Sequence, residues 1–480
     1  VPLDPADAVF TFALRAGDLM VRNGAASANV THVLLAVTSA RGFPGATASV
    51  TMGQISLSLL RPEQPPIAVV HNIGASGFNL EAVTETEQIV EAVITRELTI
   101  EEGLHRLDEL DPEQVGHTPP VQLAGWGLMA AGFAWLLGGD WAACTLACLT
   151  AILIELTGSR LTRAELPGFF SHAIAGGAAA VVAQEIAPTE ASALVITAAL
   201  VSRLAGAATF GAAHDLLTGW FITAAGRLVE VALNTSGQVV GVILAISVAS
   251  RLGVRLRIED VTGSANGLLA TTAAAVVVSV GFAIASQLRW RRMPAVAALA
   301  ALVYLVYVGM QAIGWGKLVS AATAATTLGV ITVLIAPYIK IPSSGALGVV
   351  LAPLLPGMLV YQGFVAMALH HPGSSSFLEA GGVALSTGAG AVLGQFIAAQ
   401  VIGHTRRVRH DRLRLQGDET IHTNPHVLTA QWLSAPTFRR PYLVDTIGAL
   451  HEQAESEAES EVGAEAESEA ESRSERPTIS

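Results

Sequence analysis

At 480 residues, with 51% hydrophobic and 14% charged side chains and a mean hydropathy of +0.52, the chain is too apolar for a soluble protein of several domains. The net charge of −12 belongs to the ends, since residues 1–118 carry −9, residues 452–480 carry −8 and the stretch between them +5. No basic face with interleaved aromatics occurs, which excludes a nucleic-acid partner, and Cys144 and Cys148 sit in one apolar run with no histidine or carboxylate at ligand spacing, which excludes a disulfide framework or a zinc site.

The first 118 residues read as a small cytosolic α+β domain, because no basic, uninterrupted apolar leader opens the chain. Two helical patterns, 5–23 and 26–41, precede the alternating ASVTMGQISLSL and then PIAVVHNI, which read as two strands. Helices near 80–97 and 100–110 follow, the second opening with Thr99 and Glu102 at capping-box spacing. GASG at Gly74 to Gly77 lacks the G-x-S-x-G spacing of a nucleophile elbow and reads as a turn.

From Val121 the chain becomes a series of apolar runs near the ~20 residues that a bilayer crossing requires. Spans are expected near 121–138, 141–158, 169–186, 190–206, 236–253, 265–288, 294–311, 318–336, 343–361 and 380–402. The arginines at 160 and 163, at 289 to 292 and after residue 402 then fall on one side, the cytosol, which places both termini there; Arg251, Arg255 and Arg257 disagree. The tail from 406 is basic, then a low-complexity acidic run that is expected to be disordered.

LAGAATFGAAHDLLTG near Gly206, followed by GQVVG, resembles LPGMLVYQGFVAMALHHPG near Gly357, followed by GAVLG, at separations of 151 and 153 residues. Each lies at the same place in a set of five spans, so two halves, 119–254 and 255–405, are expected to form inverted repeats. Such folds place their site where helices are interrupted, here at Gly206 and at Pro356-Gly357. Between the runs, GWFITAAGRLVEVALNTSG sets Thr223, Arg227, Glu230 and Asn234 on one helical face, and the stripe extends back to Asp215. A thin wet stripe with both signs of charge suits a cavity lining, whereas an isolated Arg227–Glu230 pair on a surface helix would contribute only ~0.3 kcal/mol.

RAGDLMVRNGAASANVTHVLLAV, SVTMGQISLSL, HDLLTG, AAGRLVEVAL and PLLPGMLVYQGF together resemble the threonine/serine exporter family over nearly all the chain up to residue 405. The resemblance matches Asp215, Thr218, Gly219, Arg227 and Glu230 in the first half and Pro356, Gly357, Tyr361 and Gly363 in the second. Gln362, where the family pattern has arginine, and His214 depart from it. The resemblance implies a multi-pass plasma-membrane exporter of small hydroxylated amino acids driven by protons, without cofactor or metal; a homo-oligomer stays open. Two other classes remain: a carrier of another small anion such as succinate, and a membrane-anchored enzyme or sensor acting through residues 5–118. A near balance of Arg203 and Arg227 against Asp215 and Glu230 suits a zwitterion better than a dicarboxylate, and His32, His71 and His105 show no catalytic pairing by spacing.

Overall fold

The computed structural model describes residues 5–414 apart from positions 52, 62–63, 75–77, 111–114, 165, 187–191, 204–205, 252–266, 340–342, 358 and 361–373, so the acidic tail and Tyr361 lie outside the described residues. The N-terminal α+β part opens with α1 (Pro5–Arg22) and α2 (Ser27–Ala40). Where one alternating stretch reads as a single strand, the chain turns at Gly53 and makes two, β1 (Ala46–Val50) and β2 (Gln54–Arg61), before β3 (Gln64–Asn72). The sheet is antiparallel in the order β1-β2-β3, with Val50 opposite Ile55 and Gln54 opposite Asn72. Helices α3 (Leu80–Ile94) and α4 (Ile100–Glu109) follow, and the capping box is present: Glu102 N–H donates to Thr99 Oγ1 at 3.1 Å while Thr99 N–H donates to Glu102 Oε2 at 2.9 Å. Phe10, Phe12, Leu34, Ile55, Leu57 and Leu107 fill the core, so this part buries its own apolar side chains.

The other described elements are helical: α5 (Pro119–Leu136), α6 (Trp141–Arg163), α7 (Gly168–Ile186), α8 (Ser192–Arg203), α9 (Gly206–Leu217), α10 (Phe221–Arg251), α11 (Leu268–Ala285), α12 (Met293–Ala312), α13 (Lys317–Ile339), α14 (Ser343–Val350) and α15 (Ser374–Arg414). Six of the described helices, α6, α10, α11, α12, α13 and α15, are long and apolar enough to cross a membrane. The largest departure from expectation concerns the span near 236–253, which starts at Phe221 and runs as one helix of 31 residues. Its polar first turns lower the local hydropathy, so the sequence reads that end as a separate segment. The helix that precedes it ends in a turn at Gly219, where φ is +90 and Trp220 N–H donates to the Asp215 carbonyl (2.8 Å), a left-handed cap that glycine adopts at no steric cost.

Small residues set how these helices meet. A Cβ added at Gly237 or Gly241 of α10 would fall on the carbonyl oxygens of Phe169 or Ala173 of α7; one added at Gly390 or Gly394 of α15 would fall on those of Ala322 or Thr326 of α13. Gly176 likewise faces the Gln238 carbonyl, and Gly329 the Ala391 carbonyl. Each second-half residue carries a number 153 above its first-half counterpart. Helices α5 and α11 meet with Gly125 against Ala285 and Gly132 against Val278, which makes them antiparallel, and the same displacement of 153 exchanges the two contacts. Backbone approach of this kind supplies dispersion where lipid removes the hydrophobic drive between helices.

Candidate functional site

The turn at Gly219 folds α9 back beside α10 and brings two opposite charges together. Asp215 is fully buried, and its Oδ2 lies 3.1 Å from Nε of Arg227, itself 16% exposed. Room for the guanidinium comes from Gly211, one turn before Asp215, where a Cβ would lie 2.5 Å from Arg227 Nη1. A buried ion pair gains less than its Coulomb energy suggests, because both groups lose water; removing one partner is the costly event, at ~3–5 kcal/mol. His214, beside Asp215, hydrogen-bonds the amide of Gln395 on α15, itself buried. The polar group therefore joins α9, α10 and α15.

Two further contacts reach the N-terminal α+β part. Arg227 Nη2 donates to the Ala25 carbonyl (3.4 Å) in the turn between α1 and α2, and the buried Thr223 hydroxyl donates to the Val50 carbonyl (3.4 Å) at the end of β1.

Of the residues expected from sequence, Asp215, Arg227 and Thr223 are thus gathered in one place. The charge that Arg227 pairs with is Asp215, across the turn, and not Glu230, which is exposed one turn further along α10. Asn234 is half-buried and faces Gly168, two turns beyond the ion pair. Gly206 opens α9, while Pro356 and Gly357 are buried where the chain leaves a short 3-10 turn at Ala352–Leu354 and resumes helical structure, with Val360 N–H donating to the Pro356 carbonyl at 3.0 Å. Gln395, Gly211 and the two carbonyls were missed. Gln395 stands out in sequence only as an amide among small residues, and a carbonyl has no side-chain signal at all.

Comparison with known proteins bears on this arrangement. The ThrE model, described as "Putative threonine/serine exporter", matches residues 11–249, and a second model, ThrE_2, described as "Threonine/Serine exporter, ThrE", matches residues 271–403. The chain belongs to the threonine/serine exporter family. A protein of Mycobacterium tuberculosis named "Probable threonine/serine exporter" is 28% identical over 423 residues, 85% of this chain and 80% of the relative. The "Threonine/serine exporter" of Corynebacterium glutamicum is 28% identical over 410 residues, 82% of this chain and 83% of that protein. No solved structure matches the chain. The boundary between the two family models falls between α10 and α11, so Asp215 and Arg227 belong to the first and Gln395 to the second.

Proposed function

We propose that this protein carries threonine and serine out of the cell across the plasma membrane, with Arg227 receiving the substrate carboxylate and Asp215 its ammonium group. The observation that carries the reading is the buried Asp215–Arg227 pair at 3.1 Å beside a helix break, supported by the names of both relatives. A zwitterion needs one cation and one anion at opposite ends of a small pocket. The hydroxyl of threonine or serine needs a partner as well, since an unsatisfied buried polar group costs ~1–3 kcal/mol, and Thr223 on the same face of α10 supplies one.

Ten crossings in two inverted sets of five, with the soluble part and both termini in the cytosol, fit the antiparallel meeting of α5 and α11 and the glycine contacts that recur at a displacement of 153 residues. On that reading α8 and α9, of 12 residues each, make one broken crossing. Exposed Trp141, Trp290 and Trp315 at helix ends suit the level of the lipid headgroups. No nucleotide-binding signature of the G-x-x-x-x-G-K-[ST] type occurs, so an ion gradient supplies the energy; Asp215, released from Arg227 when substrate binds, is the group to exchange a proton.

Cells overproducing the protein and fed a threonine-containing dipeptide are expected to excrete threonine faster than control cells, and a protonophore to remove the difference. Excretion that survived collapse of the gradient would refute proton coupling, and preferential excretion of succinate would refute the substrate class.

A further inference from the structure

The soluble domain is fixed to the membrane region by buried charge. Helix α3 begins at Leu80, whose N–H donates to the Ser286 carbonyl (3.0 Å), and the next residue, Glu81, is fully buried. The Glu81 carboxylate lies 2.6 Å from Arg292 Nη1 and 3.3 Å from Arg289 Nε, while Glu85 adds an ion pair to Arg289. Both arginines come from the stretch that joins α11 to α12. Around them Phe78 stacks on Phe282 with ring centroids 5.7 Å apart, His117 shares a 2.7 Å hydrogen bond with the Leu288 carbonyl, and the Leu80 side chain fills the space that a Cβ at Gly345 would take.

From this dock the contacts lead to Arg227. Phe78 lies where a Cβ at Gly24 would go, and Gly24, at φ +93, turns the chain into Ala25, whose carbonyl accepts from Arg227. Val50 covers Thr223 in the same way. Asp215 and Thr223 are buried, Asp215 against Arg227 and Thr223 against the Val50 carbonyl. A neutral backbone carbonyl occupies the donor that a substrate carboxylate would bind more strongly, since charge-assisted hydrogen bonds are about twice as strong as neutral ones.

We infer that the soluble domain, held by Glu81 on Arg289 and Arg292 and reaching Arg227 with the Ala25 carbonyl, is the cytosolic gate of the transporter, closed in this structure and lifted to admit substrate. The inference rests on the reading of Asp215 and Arg227 as the substrate site. It gives the family's soluble domain a mechanical role in the cycle: the domain competes with the substrate for one guanidinium, so a substrate that engages Arg227 favours release of the domain. Such coupling needs only that substrate binds the lifted form better than the docked one.

Two measurements on the full chain test it, with Cys144 and Cys148 replaced by alanine. The first joins the domain to α14 with Leu80→Cys and Gly345→Cys. Inside-out vesicles preloaded with unlabelled threonine report the exchange of labelled threonine, whatever ion drives net transport. Oxidation is expected to abolish exchange and reduction to restore it. A control bridge within the sheet, Thr47→Cys with Ser58→Cys, whose hydroxyls lie 2.7 Å apart, is expected to change nothing. The second measurement does not need transport: Thr223→Cys is labelled with a membrane-impermeant thiol reagent on the cytosolic face. Adding Glu81→Gln, which leaves Arg292 without its anion, should speed labelling by about tenfold or more. Exchange that persists in the bridged protein, failure of the Leu80–Gly345 bridge to form, or labelling unchanged by Glu81→Gln would each overturn the gate. Absence of threonine exchange in the unbridged, reduced protein would instead overturn the proposed function, while the labelling result would still report on the gate.

Discussion

Arg227 is the residue on which three elements converge, and its chemistry is specific to arginine. Lysine would keep the charge but lose the planar fork that can hold Asp215 and a carboxylate together. Arg227→Lys is therefore expected to leave the protein folded in the membrane and to raise the threonine concentration for half-maximal exchange by about tenfold, the effect of losing one charge-assisted bond of ~1.5 kcal/mol. Arg227→Ala leaves Asp215 buried and unpaired, and should lower the thermal stability of the purified protein as well. Glu230→Gln, at an exposed position, should leave both quantities unchanged. Glu87 gives a prediction away from the membrane: burial pushes its pKa up to about 7, while the Asn29 amide (3.0 Å), Glu91 and Arg292 act as smaller influences. A carboxyl whose folded pKa is raised stabilises the fold below its unfolded value of 4.5, and this contribution is lost as pH rises through about 7. The melting temperature of the full chain should fall between pH 5 and pH 8, and Glu87→Gln should flatten that slope. Charges inside an apolar run made Arg227 and Asp215 legible in sequence. Their mutual pairing was not, because it depends on a reversal of direction at Gly219 that carries no periodic signal.

At the scale of helices, contacts between backbones should be the least tolerant feature. Adding a side chain at Gly241 or Gly394 would drive a Cβ into the carbonyl of Ala173 or Thr326, and neither carbonyl can move without its helix. Overpacking costs ~1–3 kcal/mol in ordinary cores and more where backbone is the obstacle. Gly241→Leu and Gly394→Leu are expected to reduce the melting temperature and the amount of protein in the membrane by similar amounts. Gly309→Leu, where nothing lies within 4 Å of the added Cβ, should be neutral on both measures. Helices with uniform hydropathy, such as α11 and α12, were legible to within a few residues. The long α10 was not, since Thr223, Arg227, Glu230 and Asn234 depress hydropathy over a helix whose Thr223 and Arg227 meet the Val50 and Ala25 carbonyls of the N-terminal α+β part. The hairpin of β1 and β2 was read as one strand, because alternation continues through the turn and only Gly53 marks it.

For the whole molecule, a run of apolar helices after an N-terminal stretch of mixed helices and strands was legible in sequence, as was the short GQVVG and GAVLG echo. The docking of Glu81 on Arg289 and Arg292 was not: in sequence those arginines read as markers of membrane orientation, and their buried partner lies more than 200 residues away. Family membership supplies the substrate class, and the Asp215–Arg227 pair is the place proposed for it. The most direct measurement is exchange of labelled threonine into inside-out vesicles that contain equal amounts of the wild-type protein, Asp215→Asn or Arg227→Ala. The wild-type vesicles should accumulate label, unlabelled serine should compete, succinate should not, and both variants should be inactive. Competition by succinate, or exchange at the wild-type level in Asp215→Asn and Arg227→Ala, would contradict the assignment of an amino-acid site to this ion pair.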